Sequence, residues 1–254
     1  MLHPARTHRI DSELFDRFGL TVSMLRLDEM HPEIGGNKWF KLKYNIEEAK
    51  RTKAKGILTF GGAFSNHIAA TAAAGRLFGI PTVGIIRGEE SASKNPTLSD
   101  AATNDMQLHF VSREEYSRRY DDDFLNEIQR KFEGYFIVPE GGNNLNGIRG
   151  AIEIVSKIAV PFDVLTTAVG TGSTLAGMSF GLQSHQEVIG FSVLKGADDL
   201  EKQIDEKISA FQFSGMQGSR FSPGRWTVNH EFHFGGYAKR TDELVVFTEQ
   251  FYFA

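Results

Sequence analysis

A lysine placed directly after a glycine-rich turn is the first reactive side chain in this sequence. Lys38 follows Gly-Gly-Asn at positions 35–37, residue types that form tight turns, and a stretch with helical spacing comes after it. A lysine amine becomes a nucleophile, able to form a Schiff base, when burial or a nearby cation lowers its pKa. The alternative is that Lys38 is a surface lysine. The basic residues after it are predicted to form the solvated face of the helix: Lys41, Lys43, Lys50 and Arg51.

A second polar cluster follows a predicted buried strand at 56–60. Ser65, Asn66 and His67 offer a hydroxyl, an amide and an imidazole at the start of an alanine-rich helix predicted over 66–78. The positive end of the helix dipole favours ligand binding at such a position. Serine is also a common helix N-cap, and capping alone is the alternative role for Ser65.

A glycine- and hydroxyl-rich loop, Gly-Thr-Gly-Ser-Thr at 170–174, follows a predicted strand at 164–168. Backbone N–H groups, hydroxyls and a helix N-terminus together form an anion site suited to a phosphate. The loop lacks the Gly-Lys-Ser/Thr of a P-loop. The next strand ends in Ser-Val-Leu-Lys at 192–195, without the acidic residue of a dinucleotide site. A tight turn without a ligand is the alternative.

Two further motifs are weaker. His230 and His233 flank Glu231, but no other ligand cluster accompanies them, so no metal site is predicted. Tyr237 follows Gly235 and Gly236 and presents a phenol from a flexible turn.

Short β-branched runs alternate with helix-length stretches, which indicates βαβ units and an α/β fold with parallel sheets. Further strands are predicted at 82–86, 107–111, 135–138 and 188–194. Further helices are predicted at 97–106, 123–132, 145–158, 174–182 and 198–211, with another beginning near Thr241. The glycine clusters fall at strand ends, where open parallel sheets bind ligands.

Composition limits the function classes. The chain has 254 residues, 41% hydrophobic and 24% charged, with 28 Lys+Arg against 32 Asp+Glu and a net charge of −4. Without a basic block, neither nucleic acid nor membrane is predicted as a partner. No apolar run approaches the ~20 residues of a membrane span. The absence of cysteine excludes disulfides and thiol catalysis and fits a cytoplasmic location.

Taken in order, the motifs resemble one family. The lysine turn, the Ser-Asn-His cluster, Pro-Glu-Gly-Gly at 139–142, the 170–174 loop and the 235–237 turn are similar to those of pyridoxal-phosphate (PLP) enzymes of the tryptophan-synthase-β fold. The most similar branch contains 1-aminocyclopropane-1-carboxylate (ACC) deaminase and D-cysteine desulfhydrase.

The resemblance implies a two-lobed α/β enzyme with PLP in the cleft between the lobes. Residues 1–45 and 138–254 would form the large lobe, and residues 46–137 the small one. Lys38 would bind PLP as a Schiff base and Asn66 would contact its 3′ oxygen. Ser65 and Tyr237 would act in catalysis or contact the substrate, and His67 would line the substrate carboxylate region. The phosphate would be held by Gly170, Thr171, Gly172, Ser173 and Thr174.

His67, where cyclopropane deaminases carry glutamine, favours D-cysteine desulfhydrase-like β-elimination over ACC deamination. Asn143 and Asn144 stand where the family implies a small hydroxyl residue. The resemblance also implies a segment after the glycine–tyrosine turn, so the large lobe is expected to be incomplete at its C-terminus. A homodimer is expected. Two alternatives belong to other functional classes. One is a catalytically silent binding module, and the weaker one is a nucleotide-dependent oxidoreductase.

Overall fold

A computed structural model describes residues 2–89, 95–216, 222–236 and 239–253, without the side chains of residues 252 and 253. The chain folds into two compact units. The first comprises Met1–His3 and Leu27–Gly150, and the second Pro4–Arg26 and Ala151–Ala254. The lobes expected from the family resemblance have other boundaries, and that assignment stays a prediction.

The strands are β1 (Arg6–Ile10), β2 (Val22–Arg26), β3 (Gly56–Gly62), β4 (Thr82–Arg87), β5 (Gln107–Val111), β6 (Tyr135–Val138), β7 (Val164–Val169), β8 (Glu187–Ser192) and β9 (Arg225–Asn229). The helices are α1 (Glu13–Arg17), α2 (Asn37–Arg51), α3 (Asn66–Phe78), α4 (Pro96–Thr103), α5 (Arg113–Ser117), α6 (Asp122–Lys131), α7 (Leu145–Val155), α8 (Ser173–Phe180), α9 (Leu200–Phe213) and α10 (Asp242–Phe253). Short 3-10 helices span Leu27–Met30 and Glu140–Gly142. The predicted strands and helices are all present, and their ends differ from the prediction by a turn or less.

The first unit is built on a parallel sheet with strand order β5-β4-β3-β6. Strand β3 is buried along most of its length, and its side chains contact helices on the two opposite faces of the sheet. Ile57 packs with apolar residues of α2 and α3, whereas Leu58 and Phe60 pack with Phe124 and Ile128 of α6. Helices therefore cover both faces of this sheet, and the predicted α/β fold class is confirmed.

The second unit contains a parallel sheet with strand order β7-β8-β9 and the antiparallel pair β1–β2. Helix α8 is buried over its whole length, and its Phe180 packs on Phe211 of α9 with ring centroids 5.2 Å apart. Strands β1, β2 and β9 were not predicted from the sequence, because they are short and half-exposed. In the described ranges, no helix combines the length and apolar character that crossing a bilayer requires.

The prediction that Lys41 lies on the solvated face of α2 was wrong, because this residue is 1% exposed. Helix α7 packs closely on this helix: a Cβ atom added at Gly150 would lie 1.9 Å from the Phe40 carbonyl oxygen. Side-chain atoms of Lys41 also lie against Gly142. Helical periodicity identifies the face that contacts the sheet, but it does not show that a second helix covers part of the opposite face.

Candidate active site

Lys38 lies in the first turn of α2, immediately after the Gly-Gly turn, as the sequence predicts. Its side chain is half-buried, and burial lowers the pKa of its amine to about 8. The neutral amine is the nucleophilic form. A larger fraction of Lys38 is therefore neutral near pH 7 than of a lysine with the ordinary pKa of ~10.4.

The Ser-Asn-His cluster lies where β3 leads into α3, and its three side chains have different surroundings. Ser65 is the N-cap of α3, and its Oγ accepts a hydrogen bond of 3.4 Å from the Ile68 backbone N–H. Asn66 is exposed at the first position of the helix. His67 is 2% exposed, and its Nε2 lies 2.9 Å from the Thr59 Oγ1. Capping is thus confirmed for Ser65, while the chemical roles of the three residues stay predictions.

His67 shares its electrostatic surroundings with two lysines. Burial keeps its pKa well below the ordinary value, and the charges of Lys38 and Lys41 lower it further. A Cβ atom added at Gly142 would lie 3.3 Å from Lys41 carbons and 3.6 Å from His67 Cε1. The structure therefore brings Lys38, Lys41, His67 and the end of the 139–142 segment together within the first unit.

A polar network around Glu140 was missed by the sequence analysis. The Tyr116 hydroxyl donates to Glu140 Oε1 at 2.9 Å, and Arg119 Nε donates to Oε2 at 2.7 Å. The Arg119 guanidinium also lies 4.5 Å from the centroid of the Tyr120 ring. Burial, followed by the charge of Glu140, raises the pKa of Tyr116. The sequence did contain an indication of this network. Glu140 lies two residues after β6, and the carboxyl ends of parallel strands lie at one edge of a sheet.

The 170–174 loop lies in the second unit between β7 and α8. Gly172 is the N-cap of α8 and adopts a left-handed φ of 80°, which favours glycine. The hydroxyl oxygens of Thr171 and Ser173 lie 3.3 Å apart, and Ser173 and Thr174 are buried. The helix N-terminus and adjacent hydroxyls expected at this loop are thus present, while phosphate binding by it stays a prediction.

Of the two weaker motifs, the histidine pair lies among the described residues and the tyrosine does not. Tyr237 lies outside the described residues. His230 Nε2 lies 2.8 Å from Glu201 Oε1, and His233 Nδ1 accepts a 2.9 Å hydrogen bond from the Gly235 N–H. Over the described part of the chain, no three His, Cys, Asp or Glu side chains form a metal-ligand cluster. A cavity of about 760 Å³ in the second unit is lined by other residues, among them those at 152–162 and 181–186.

Comparison with known proteins identifies the family. The family model described as "Pyridoxal-phosphate dependent enzyme" matches residues 3–245. The chain belongs to this family of PLP-dependent enzymes. Its cofactor is therefore PLP.

Relatives within the PLP-dependent family carry two activity names. A Thermotoga maritima protein provisionally named ACC deaminase is 31% identical over 91% of this chain and 77% of its own length. A D-cysteine desulfhydrase of Yersinia enterocolitica is 28% identical over 76% of this chain and 63% of its own length. A crystal structure of an ACC deaminase homologue has a TM-score of 0.81 and 23% identity, covering 98% of this chain and 77% of the other; it supports the fold.

The residues present fit the two reactive ends of PLP, an aldehyde and a phosphate. In the first unit, the low-pKa amine of Lys38 suits a Schiff base with the aldehyde. In the second unit, the N-terminus of α8 with the Thr171 and Ser173 hydroxyls suits the phosphate. Both chemical requirements of the cofactor thus have a matching group in this chain.

Proposed function

We propose that this PLP-dependent enzyme is a lyase that carries out β-elimination on a small amino acid, with D-cysteine as the preferred substrate. One D-cysteine and one water would yield pyruvate, ammonia and hydrogen sulfide. The observation that carries the proposal is the half-buried Lys38 amine with a pKa of about 8, in a chain that belongs to the PLP-dependent family.

The choice of substrate rests on His67, which stands where cyclopropane deaminases carry glutamine. Relatives named D-cysteine desulfhydrase support this choice. ACC deaminase activity is the second candidate, because other relatives carry that name. The two reactions differ at the first proton transfer, since D-cysteine has a Cα proton and ACC has none.

Each predicted site residue has a proposed role. Lys38 forms the covalent link to the cofactor, and Asn66 hydrogen-bonds its 3′ oxygen. Ser65 and His67 contact the substrate, and Tyr237 takes part in catalysis. The loop residues hold the phosphate: Gly170, Thr171, Gly172, Ser173 and Thr174.

The chemistry of this chain centres on the amine of Lys38. When bound, PLP acts as the electron sink for the negative charge that develops at the substrate Cα. Lys38 would hold the aldehyde of the cofactor, and its neutral amine, once free, would accept the Cα proton of the substrate. The C–S bond at Cβ would then break, and sulfur would leave with the bonding electron pair as hydrosulfide, which takes up a proton to become hydrogen sulfide. The low pKa of Lys38 suits this base role, because a general base works best with a pKa near the operating pH.

The proposal is tested with purified protein incubated with PLP and then supplied with D-cysteine or ACC. We expect a yellow protein, with its Schiff-base absorption lost in Lys38→Ala, and release of sulfide and pyruvate from D-cysteine. Keto-acid release from ACC alone would select the second candidate. A yellow protein that turns over neither compound would be a silent binding module. Borohydride reduction and mass spectrometry that find no adduct on Lys38 would overturn the proposal.

We also propose that the protein acts as a homodimer in the cytoplasm. Each chain would have a large lobe, formed by residues 1–45 and 138–254, and a small lobe, formed by residues 46–137. The family resemblance supports the dimer and the lobes, and a chain free of cysteine fits a reducing compartment. Light scattering after size-exclusion chromatography would measure the mass. A mass near that of one 28.3 kDa chain would contradict the dimer.

A further inference from the structure

Thr59 is a fully buried threonine on β3 that has two hydrogen-bond contacts. It is 0% exposed. Its hydroxyl donates to the Val138 carbonyl oxygen of β6 at 2.7 Å, and the same Oγ1 lies 2.9 Å from His67 Nε2. A hydroxyl has one proton to donate. Because that proton is directed at Val138, Oγ1 must accept a hydrogen from Nε2 of His67.

This contact determines the tautomer of the imidazole. With its hydrogen on Nε2, a neutral ring carries a lone pair on Nδ1 and can only accept a hydrogen bond there. The ring is neutral because burial, together with the charges of Lys38 and Lys41, keeps the His67 pKa well below its ordinary value. Nδ1 is therefore an acceptor.

The His67 Nδ1 atom is buried, and no described residue forms a hydrogen bond with it. Buried polar atoms are nearly always paired, and one without a partner requires an explanation. Nδ1 is bonded to Cε1, the ring atom that lies 3.6 Å from where a Gly142 Cβ would be. Asn143, the residue after Gly142, holds a second buried acceptor, its Oδ1, which also lacks a hydrogen-bond partner within the described ranges. Two buried acceptors thus adjoin Gly142, in the region of Lys38 and Lys41.

We propose that Thr59 is a positioning residue that holds His67 in the Nε2–H tautomer, so that Nδ1 accepts a hydrogen bond from an N–H or O–H donor of the bound amino acid. This inference rests on the proposed function. It narrows the role of His67, since a carboxylate has no hydrogen to donate and cannot be the partner of this Nδ1 atom. A group that donates, such as the ammonium group of the arriving substrate before it reacts with the cofactor, meets the requirement.

The tautomer is tested by nitrogen-15 NMR of histidine-labelled apo protein at neutral pH. His67→Gln assigns the His67 signals among the 8 histidines. We expect wild type and Thr59→Ser to show a protonated Nε2 and an unprotonated Nδ1, and Thr59→Val to show a mixture of tautomers. A protonated Nδ1 in wild type would overturn the proposal even if Thr59→Val fails to fold. So would an unchanged tautomer in a folded Thr59→Val.

Thr71 provides a matched control. It is 1% exposed, and its hydroxyl donates to the His67 backbone carbonyl at 2.7 Å, so Thr71→Val removes a buried threonine hydroxyl without touching the ring. We expect Thr71→Val to keep the wild-type tautomer. A shift to the same mixture as in Thr59→Val would show a general packing effect and overturn the proposal.

The kinetic test measures kcat and KM for D-cysteine in the PLP-loaded enzymes. Loss of one hydrogen bond to a charged donor should raise KM about tenfold in Thr59→Val. We expect kcat to change less than about twofold, and Thr59→Ser and Thr71→Val to keep the wild-type KM. An unchanged KM in Thr59→Val would overturn the proposal. A wild type without any turnover would instead count against the proposed function, and the NMR spectra of the apo protein would still decide the role of Thr59.

Discussion

Burial of one amine defines the reactivity of this protein at the residue scale. Lys38 is expected to lose its proton with a midpoint near pH 8, because burial penalises the charged form and so lowers the pKa. Competitive acetylation followed by mass spectrometry measures the pH at which Lys38 is half deprotonated. The modified fraction of Lys38 should rise with pH and be half-maximal near pH 8, about two units below a free lysine side chain in the same sample. A midpoint matching that of the free lysine would contradict it.

Ser65 has a structural role in capping α3 and a proposed role in the reaction, and two variants separate them. Ser65→Ala should lower the free energy of unfolding by about 1 kcal/mol through loss of the N-cap. Ser65→Asn keeps a capping side chain and should unfold like wild type in urea. If Ser65 also contacts the substrate, both variants should lose about tenfold or more in kcat/KM for D-cysteine. Wild-type kinetics in Ser65→Asn would leave Ser65 as a helix cap only.

At the scale of elements, the packing of α7 on α2 depends on the absence of a side chain at one position. A Gly150→Ala methyl would lie 1.9 Å from the Phe40 carbonyl oxygen, and backbone cannot rotate away as a side chain can. We expect Gly150→Ala to cost about 3 kcal/mol in urea unfolding, the upper part of the overpacking range. Gly35→Ala is the control, because its nearest neighbour is the Asp28 Cα at 3.9 Å. Equal stability of the two variants would contradict this packing.

A pair of amides links the same two helices. Asn45, which is fully buried, donates to Asn144 Oδ1 at 3.2 Å and accepts from Asn144 Nδ2 at 2.7 Å. Asn144 Oδ1 also accepts from the Gly147 N–H at the start of α7. The asparagine at 144, which departs from the small hydroxyl residue implied by the family, therefore has a structural role of its own.

At the scale of the whole molecule, the proposed function requires both units to respond to one cofactor. If Lys38 binds the aldehyde and the 170–174 loop binds the phosphate, as proposed, hydrogen exchange should slow on addition of PLP in peptides covering 37–42 and in peptides covering 170–176. Inorganic phosphate should slow exchange only at 170–176. Protection by PLP that is confined to one of the two regions would contradict the assignment of site residues.

The local features of this protein could be predicted from the order of its amino acids alone. The alternation of strands and helices, the Ser65 cap and the glycine loop before α8 all depend on residues close together in the chain. Periodicity, residue types at turns and the order of the motifs record such local interactions directly. They were sufficient for the fold class and for membership of the PLP-dependent family.

The contacts that surround the site could be identified only in the folded chain. Thr59 and Val138 are 79 positions apart, and Asn45 and Asn144 are 99 apart. The burial of Lys41 likewise depends on distant residues, because α7 and Gly142 reach it through the fold. Such contacts leave no periodic trace in a single sequence, since they arise when the sheet and helices bring separate segments together. For this reason the lysines were visible in the sequence, while the contact with Val138 that directs the Thr59 hydroxyl, and so fixes the His67 tautomer, was not.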